Sequence, residues 1–264
     1  MENISLPSTI QSTPIAGELN KVQISVSPCY PGYGTTLGNA MRRVLLSSLP
    51  GVAVTAIKIK GVDHEFSTID HVKEDVVEII LNMKALRFRL HSEEPVELVL
   101  EVKGEKVVTA GDFESNAQVE IVNPDAMIAT LTDKAAEFHM KAIIQPGRGY
   151  VPVESREHEN IEVGYIAIDS IYSPVRNVNF RTEHVRVGQM TNYDKLLLDV
   201  STDGTMSPEE AFRSAANILV EQFQALSAST FELPSEETAI AESETADEET
   251  DGEGTAEPTE TTEE

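Results

Sequence analysis

The stretch PGYGTTLGNAMRRVLLSSLPG, residues 31–51, places three glycines directly before a helical pattern. Glycine-rich loops that lead into a helix often hold phosphates, because the free backbone N–H groups and the helix dipole attract anions. A P-loop continues with Lys and then Ser or Thr after its last glycine, whereas Gly38 is followed by Asn39 and Ala40. A dinucleotide fold needs an acid at the end of the next strand, and VAVTAIKIKG has none before Asp63. The motif therefore argues against phosphate binding.

The same stretch divides into two faces when it is drawn as a helix of about 100° per residue. One face is an apolar stripe, which is typical of a buried helix face, and the opposite face is polar. The stripe holds Leu37, Met41, Val44 and Ser48, with Ala40 and Leu45 beside it. The polar face holds Asn39, Arg42 and Arg43. Leu46 breaks the pattern, because it lies between the two arginines. A single exposed leucine is common, but a leucine beside arginine is also typical of an anchor for a partner. Both interpretations stay open on the wheel alone.

A second helix is predicted after residue 206. The sequence SPEE at 207–210 matches a capping box with proline at the first helical position. Apolar residues then recur at steps of four and three, as in a coiled-coil seam: Phe212, Ala216, Leu219, Phe223 and Leu226. Two phenylalanines in a seam need a second surface, and a copy of the same chain is the simplest source because two-fold homodimers are the commonest assembly. Packing within the chain is the alternative.

Other residue types with chemical potential do not form a recognisable active site. The six histidines lack the spacing of a zinc site: His64, His71, His91, His139, His158 and His184. The carboxylates of Asp63, Glu65 and Asp70 lie near one turn, which is ordinary in an acidic chain. The sequence PGRGYVP at 146–152 is typical of a turn between strands. We therefore predict no catalytic residues, no metal site and no cofactor on this chain.

The charge of the chain is concentrated at one end. Its 264 residues have a formal net charge of −25, and 13 of the 45 acidic residues lie in 234–264, which leaves −12 for residues 1–233. Counterion release on nucleic acid needs clustered Lys and Arg, so autonomous DNA binding is not expected. Cys29 is the one cysteine, which suits a reducing cytoplasm. No signal or membrane-spanning segment is predicted.

The elements that must position these residues predict an α+β fold. Strand-like alternation marks KVQISVSPCY and VAVTAIKIKG, and HVKEDVVEIILNMKAL at 71–86 has helical spacing. Five further β-rich runs follow, and VRNVNFRTEHVRV and KLLLDVST read as longer antiparallel strands. Composition changes at Pro50–Gly51 and near Pro174. Residues 234–264 hold too little apolar surface to fold and are predicted to be disordered, either as a solubilising tail or in a specific electrostatic role.

Several collinear segments resemble the bacterial-type RNA polymerase α subunit family, in its N-terminal domain. They are residues 31–51, AVTAIKIKGVDHEFSTIDHVKEDVVEIILNMKAL, VEIVNPDAMIATLT, GRGYVPV, YSPVRNVNF and TNYDKLLLDVSTDGTMSPEEAFRSAANILVEQF, and together they cover roughly residues 10–227. One glycine loop would be a weak signal, whereas this many ordered segments are specific.

The resemblance implies a discontinuous dimerisation domain of antiparallel strands and two packed helices, formed by residues 1–50 and 175–233. A β-rich domain, residues 51–174, is inserted between them, and the acidic tail occupies 234–264. Because the terminal helices of two family subunits pack together, the implied homodimer interface holds Leu37, Met41, Val44, Phe212, Leu219 and Phe223.

The resemblance also implies partner surfaces. In the family the first helix contacts the large β subunit through its second arginine, which is Arg43 here, and Leu46 lies one turn further on. The inserted domain is expected to meet β or β′, depending on the protomer. The implied β/β′ surface holds Asn39, Arg42, Arg43, Leu46, Arg148, Tyr150 and Arg176. The glycines of the loop then serve a tight turn and close packing rather than a phosphate.

The function implied is that of a non-catalytic platform for DNA-directed RNA polymerase, a nucleotidyltransferase whose Mg²⁺ belongs to the partner subunits. DNA is then reached only through the assembled complex, in the cytoplasm and at the nucleoid. Many family members carry a small C-terminal DNA-binding domain, and here an acidic tail stands in its place, so no promoter contact through such a domain is expected. A free-standing dimeric binding protein is the alternative, and an enzyme that uses the glycine loop is a third.

Overall fold

The computed structural model describes residues 4–15, 17, 20–156 and 162–229. Antiparallel sheets dominate the described chain, together with three α-helices, and the predicted α+β class is confirmed. The helices are α1 (Tyr33–Ser47), α2 (Val76–Ala85) and α3 (Pro208–Ala228). The predicted acidic tail and His158 lie outside the described residues.

The described strands follow one another along the chain as β1 (Thr9–Pro14), β2 (Lys21–Cys29), β3 (Pro50–Ile59), β4 (Phe88–Leu90), β5 (Val96–Lys103), β6 (Lys106–Thr109), β7 (Val119–Ile121), β8 (Met127–Leu131), β9 (Glu137–Arg148), β10 (Tyr150–Val151), β11 (Ile166–Ala167), β12 (Ser170–Ile171), β13 (Val175–Val187) and β14 (Met190–Thr202). The main compact unit of the chain runs from Met1 to Glu221, and the described part of the second unit, residues 222–229, carries the end of α3.

One four-stranded sheet joins the two ends of the sequence, in the order β1–β2–β14–β13. Strand β2 alternates buried and half-buried residues, as its sequence predicts, and pairs antiparallel with β14. Helix α1 packs on β13 and β14. The hydrophobic cluster between them, which we call the terminal core, draws its residues from 22–49 and 175–219.

The second hydrophobic cluster, which we call the insert core, draws its residues from 52–168. Its main sheet has the order β11–β3–β9–β5, and two-stranded pairs and α2 pack around it. Helix α2 begins at Val76 rather than at residue 71, because the Asp75 side chain caps it by accepting a bond from the Glu78 N–H at 2.7 Å. The preceding segment instead bonds to β8, with the Lys73 N–H donating to the Thr130 carbonyl at 3.0 Å.

Strand β1 is the clearest element that the sequence did not predict. Its six residues, TIQSTP, are all exposed, so they carry no apolar alternation, and only their pairing with β2 makes them a strand. Strands β6, β10, β11 and β12 are also absent from the prediction, and each is four residues or fewer; β10 lies within 146–152, where the sequence predicts a turn. Such short strands depend on a neighbouring strand for their hydrogen bonds, and local sequence gives little sign of them.

Candidate subunit-contact surface

The glycine loop holds a carboxylate that belongs to the chain itself. Gly32 has φ 83° and precedes α1, a conformation that favours glycine. Its N–H donates to Oδ2 of Asp194 at 2.9 Å, and the Gly34 N–H donates to the same oxygen at 3.3 Å. Asp194 lies on β14 and is 5 % exposed. The position where a phosphate would bind at this helix N-terminus is therefore filled from within, and the sequence-based argument against a phosphate site gains a structural reason.

The inner face of α1 approaches the sheet unusually closely because two of its residues are glycines. A Cβ added at Gly38 would lie 2.5 Å from the ring of Phe180, and one at Gly34 would lie 2.9 Å from Asp194 Cβ. The buried residues of the helix are Gly34, Gly38, Met41 and Leu45. The predicted apolar stripe is thus rotated toward the glycines, and Leu37 and Val44 lie half-buried at its border.

The outer face of α1 is the polar ridge that the wheel predicted. Asn39, Arg42 and Arg43 are exposed, and Leu46 is 37 % exposed. In the part of the chain that the structure describes, the guanidinium groups of Arg42 and Arg43 make no ion pair and no side-chain hydrogen bond. Two unpaired cations beside an apolar residue form a surface suited to an acidic or polar partner. We call these four residues the arginine ridge.

Helix α3 packs on the terminal core through small residues. Ser207 caps the helix, with its hydroxyl oxygen accepting a bond from the Glu210 N–H at 3.2 Å, as predicted. Ala211 and Ala215 are fully buried, while the larger apolar residues Phe212 and Leu219 are half-buried against the core. Further along, Val220, Phe223 and Leu226 are 52 %, 63 % and 68 % exposed. We call these three residues the apolar strip.

The residues predicted for a homodimer interface therefore differ in how far their side chains are exposed. Met41 is buried in the chain's own core, and four others are half-buried against that core: Leu37, Val44, Phe212 and Leu219. Phe223 alone of the six is largely exposed. In an isolated chain the predicted interface thus consists of half-buried borders and one exposed ring, and the homodimer stays a prediction.

The GRGYVP turn lies beside the end of α1, which sequence reasoning did not foresee. Strand β3 follows α1 directly, and its first residue, Pro50, pairs with Arg148 at the end of β9. Gly149 has φ 65°, and a Cβ there would lie 3.1 Å from the carbonyl oxygen of Ser47, the last residue of α1. Arg148 is exposed and Tyr150 is 59 % exposed. Gly149, which separates these two predicted partner residues, thus packs on the last residue of α1.

Glycines also allow close packing where the chain passes between the terminal core and the insert core. A Cβ at Gly51 would overlap the carbonyl oxygen of Tyr172, and one at Gly147 would lie 2.7 Å from the ring of the same tyrosine. The Tyr172 N–H donates to the Gly149 carbonyl at 2.8 Å. Arg176, the remaining predicted partner residue, follows soon after and is exposed on β13.

The described residues include no cluster of three His, Cys, Asp or Glu side chains that could hold a metal ion. Two histidines lie beside carboxylates instead, His139 at 3.0 Å from Glu101 and His184 at 3.4 Å from Asp194. Cys29 is 1 % exposed, and burial raises the pKa of its thiol, which disfavours the nucleophilic thiolate. No helix within the described ranges has the length and apolar character needed to cross a membrane.

The comparisons with known proteins begin with the segment that forms the insert core. Residues 57–173 match the family described as the RNA polymerase Rpb3/RpoA insert domain. That segment corresponds to the region that forms the insert core.

Three similar proteins are each named "DNA-directed RNA polymerase subunit alpha". That of Alkaliphilus oremlandii is 53 % identical over 199 residues, or 75 % of this chain and 62 % of the relative. That of Moorella thermoacetica is 48 % identical over 219 residues, or 83 % and 70 %. That of Symbiobacterium thermophilum is 50 % identical over 215 residues, or 81 % and 68 %. The matches thus span 62–70 % of these relatives' length. The chain belongs to the family of α subunits of DNA-directed RNA polymerase.

Proposed function

We propose that this chain is the non-catalytic assembly subunit of a DNA-directed RNA polymerase, which forms a homodimer and then binds the β and β′ subunits. The observation that carries the proposal is the arginine ridge: α1 is fixed rigidly on its inner face and presents unpaired Arg42 and Arg43 on its outer face. A helix that packs closely on its inner face and carries two exposed cations on its outer face is suited to binding an acidic or polar partner protein.

The apolar strip supports the homodimer. Homodimer interfaces are more apolar than other protein surfaces, and the strip exposes three large aliphatic or aromatic side chains in succession on one helix. A two-fold axis lets such a strip cover its own copy.

The arginine ridge and the GRGYVP turn support the contacts with β and β′. Gly149 meets Ser47 at the end of α1, so Arg148 and Tyr150 lie on either side of the residue that contacts this helix. Arginine and tyrosine are enriched among the residues that dominate binding energy at protein interfaces. One large partner could therefore contact both parts of this surface, and the two copies in a dimer would offer it twice.

The proposal assigns nucleotidyl transfer and its Mg²⁺ to the partner subunits. The described residues include no group of three His, Cys, Asp or Glu side chains that could hold a metal ion, and the anion position of the glycine loop is filled by Asp194. DNA is reached through the assembled complex, which places the protein in the cytoplasm at the nucleoid.

The test is capture of the large subunits from the source cells by the tagged chain, with their identification by mass spectrometry. We expect β and β′ to be captured by the unaltered chain, and Arg43→Ala to reduce capture of β while the dimer mass in light scattering stays the same. Lys134→Ala, which removes an exposed charge from a loop of the inserted domain, is the matched control and should leave capture unchanged. Undiminished capture by Arg43→Ala would contradict the role of the ridge. If the unaltered chain captures neither large subunit, the proposed function is contradicted.

A further inference from the structure

The two cores are joined by more than the chain connections near residues 50 and 174. The loop 203–205 leads from β14 into α3 and therefore belongs to the terminal core. Two arginines of the inserted domain, Arg87 just before β4 and Arg89 within it, reach this loop.

Arg87 connects the end of α2 to the loop through a largely buried guanidinium. Its Nη1 donates to the carbonyl oxygens of Lys84 and Leu86, each at 2.8 Å. Its Nε lies 3.0 Å from Oδ2 of Asp203, and the two side chains are 19 % and 5 % exposed. The contact is an ion pair rather than an aligned hydrogen bond, since Nε lacks a partner with hydrogen-bond geometry. Burial lowers the pKa of Arg87, and the carboxylate of Asp203 opposes that shift.

Asp203 uses its two oxygens for different purposes. Oδ1 accepts bonds from the Thr205 N–H at 3.0 Å and the Thr205 hydroxyl at 2.6 Å, which fixes the loop itself. Oδ2 faces Arg87. The Asp203 N–H donates to the carbonyl of Pro174 at 2.9 Å, so the loop is also bound to the chain connection between the cores.

Arg89, which lies within β4 two residues after Arg87, reaches the same loop. Its Nε donates to the Thr205 carbonyl at 2.9 Å, and its Nη2 donates to the Gly204 carbonyl at 3.0 Å. Unlike Arg87, it is partly solvated, with a side chain that is 44 % exposed. The two arginines thus contact one carboxylate and two carbonyl oxygens, all within residues 203–205.

We propose that Arg87, Arg89 and Asp203 form a clamp that fixes the inserted domain in one orientation relative to the terminal core. They are positioning residues for assembly, since they hold the inserted domain, and with it Arg148 and Tyr150, in place relative to the core that carries α1. A surface shared by two domains binds more tightly when the domains are ordered before the partner arrives, because less conformational entropy is lost on binding. This consequence for assembly rests on the proposed function, whereas the clamp itself does not.

The decisive variant is Asp203→Asn. An asparagine keeps an oxygen for Thr205 but leaves the buried cation of Arg87 without its counter-charge, which is strongly unfavourable. Asp199→Asn is the matched control, because Asp199 pairs with Arg181 at 3.3 Å between two strands of the same core. Arg89→Met is a second variant, which removes only the partly solvated guanidinium of the clamp. If Asp203→Asn fails to fold, Arg89→Met still tests the proposal.

The measurement is the distance between spin labels on cysteines placed at Lys134 and Thr191, which are exposed on the two cores. Labelled chains are diluted with unlabelled full-length chains so that each dimer holds one labelled copy, and Cys29 is too buried to take label. We expect a narrow distance distribution in the unaltered chain and in Asp199→Asn, and a clearly broadened one in Asp203→Asn and Arg89→Met. An unchanged, narrow distribution in both clamp variants would overturn the clamp.

Capture of β from the source cells separates the clamp from the proposed function. We expect Asp203→Asn to weaken capture by about tenfold, an ordinary size for coupling between two regions, while the mass of the homodimer stays the same. If the distance distribution broadens in the clamp variants but the unaltered chain captures no β, the clamp is supported and the proposed function is refuted. Normal capture by a variant with a broadened distribution would refute the role of the clamp in assembly.

Discussion

Helices α1 and α3 cover the same terminal core in opposite ways. Helix α1 places two glycines against the sheet, so that Gly38 touches the ring of Phe180 and large side chains are free to point outward or sideways. Helix α3 places two alanines inward and leaves its large apolar side chains half-buried or exposed. The outward face of α1 is cationic, and that of the later turns of α3 is apolar.

This difference indicates two kinds of partner. An apolar face can be covered by an identical face, which favours a symmetric contact with a second copy. A cationic ridge repels its own copy and favours a different protein with complementary charge.

Two neighbouring leucines of α1 give the sharpest test of its inner and outer faces. Leu45 is fully buried and Leu46 is 37 % exposed. We expect Leu45→Ala to lower the free energy of unfolding by about 2–5 kcal/mol, the usual range for a buried leucine. Leu46→Ala should lower it by less than about 1 kcal/mol and should instead reduce capture of β. Urea unfolding followed by circular dichroism measures the first effect, and equal losses at the two positions would contradict the assigned faces.

The apolar strip of α3 is tested by Phe223→Glu. Because the side chain is 63 % exposed in the single chain, the substitution should spare folding and act on association. We expect the dimer dissociation constant to rise by at least about 100-fold, as for the removal of a central apolar anchor. Sedimentation velocity across protein concentrations measures it. Gln224→Glu, which adds the same charge one residue further along the same helix, is the control, and an undiminished dimer in Phe223→Glu would exclude the strip from the interface.

The close contact of α1 with the sheet is tested by Gly38→Ala. The added methyl group would lie 2.5 Å from Phe180, so the ring or the helix must shift, at a cost of about 1–3 kcal/mol in the free energy of unfolding. Asn39→Ala, at the next and exposed position, should change that free energy by less than about 0.5 kcal/mol. Thermal unfolding compares the two. A neutral Gly38→Ala would show that the contact is looser than the structure has it.

The internal anion at the N-terminus of α1 is tested by Asp194→Asn. The amide retains an acceptor oxygen but loses the charge that interacts with the helix dipole, which typically contributes about 1 kcal/mol. Asp125→Asn, at an exposed turn of the inserted domain, should have no measurable effect. If Asp194→Asn also bound nucleotide or phosphate in calorimetry, the loop would hold an anion site that the carboxylate normally occupies.

Local patterns predicted most of the elements, because alternation and helical spacing report directly on which side chains are buried. The long strands and all three helices follow from such patterns, and β13 occupies the whole of the predicted run VRNVNFRTEHVRV. The two-domain division, based on changes in composition near residues 50 and 174, stays a prediction. The two hydrophobic clusters draw their residues from 52–168 and from 22–49 with 175–219.

The features that the sequence did not predict depend on residues far apart in the chain. The wheel centred α1 on its large apolar residues, whereas the contact with Phe180 turns the glycine side inward. The capping carboxylate of Asp194 lies 162 residues from Gly32, and Asp203 lies far from Arg87. In each case a single side chain is decisive, and no periodic pattern marks it.

The distance between Gly32 and Asp194 has a consequence for synthesis on the ribosome. Helix α1 is made early, but its carboxylate cap and the β13–β14 surface beneath it emerge only after the whole inserted domain has been translated. Domains generally fold as units while the chain grows, so we expect the inserted domain to fold first. The early helix must wait undocked, exposed to chaperones and proteases, until the hairpin that receives it has left the exit tunnel.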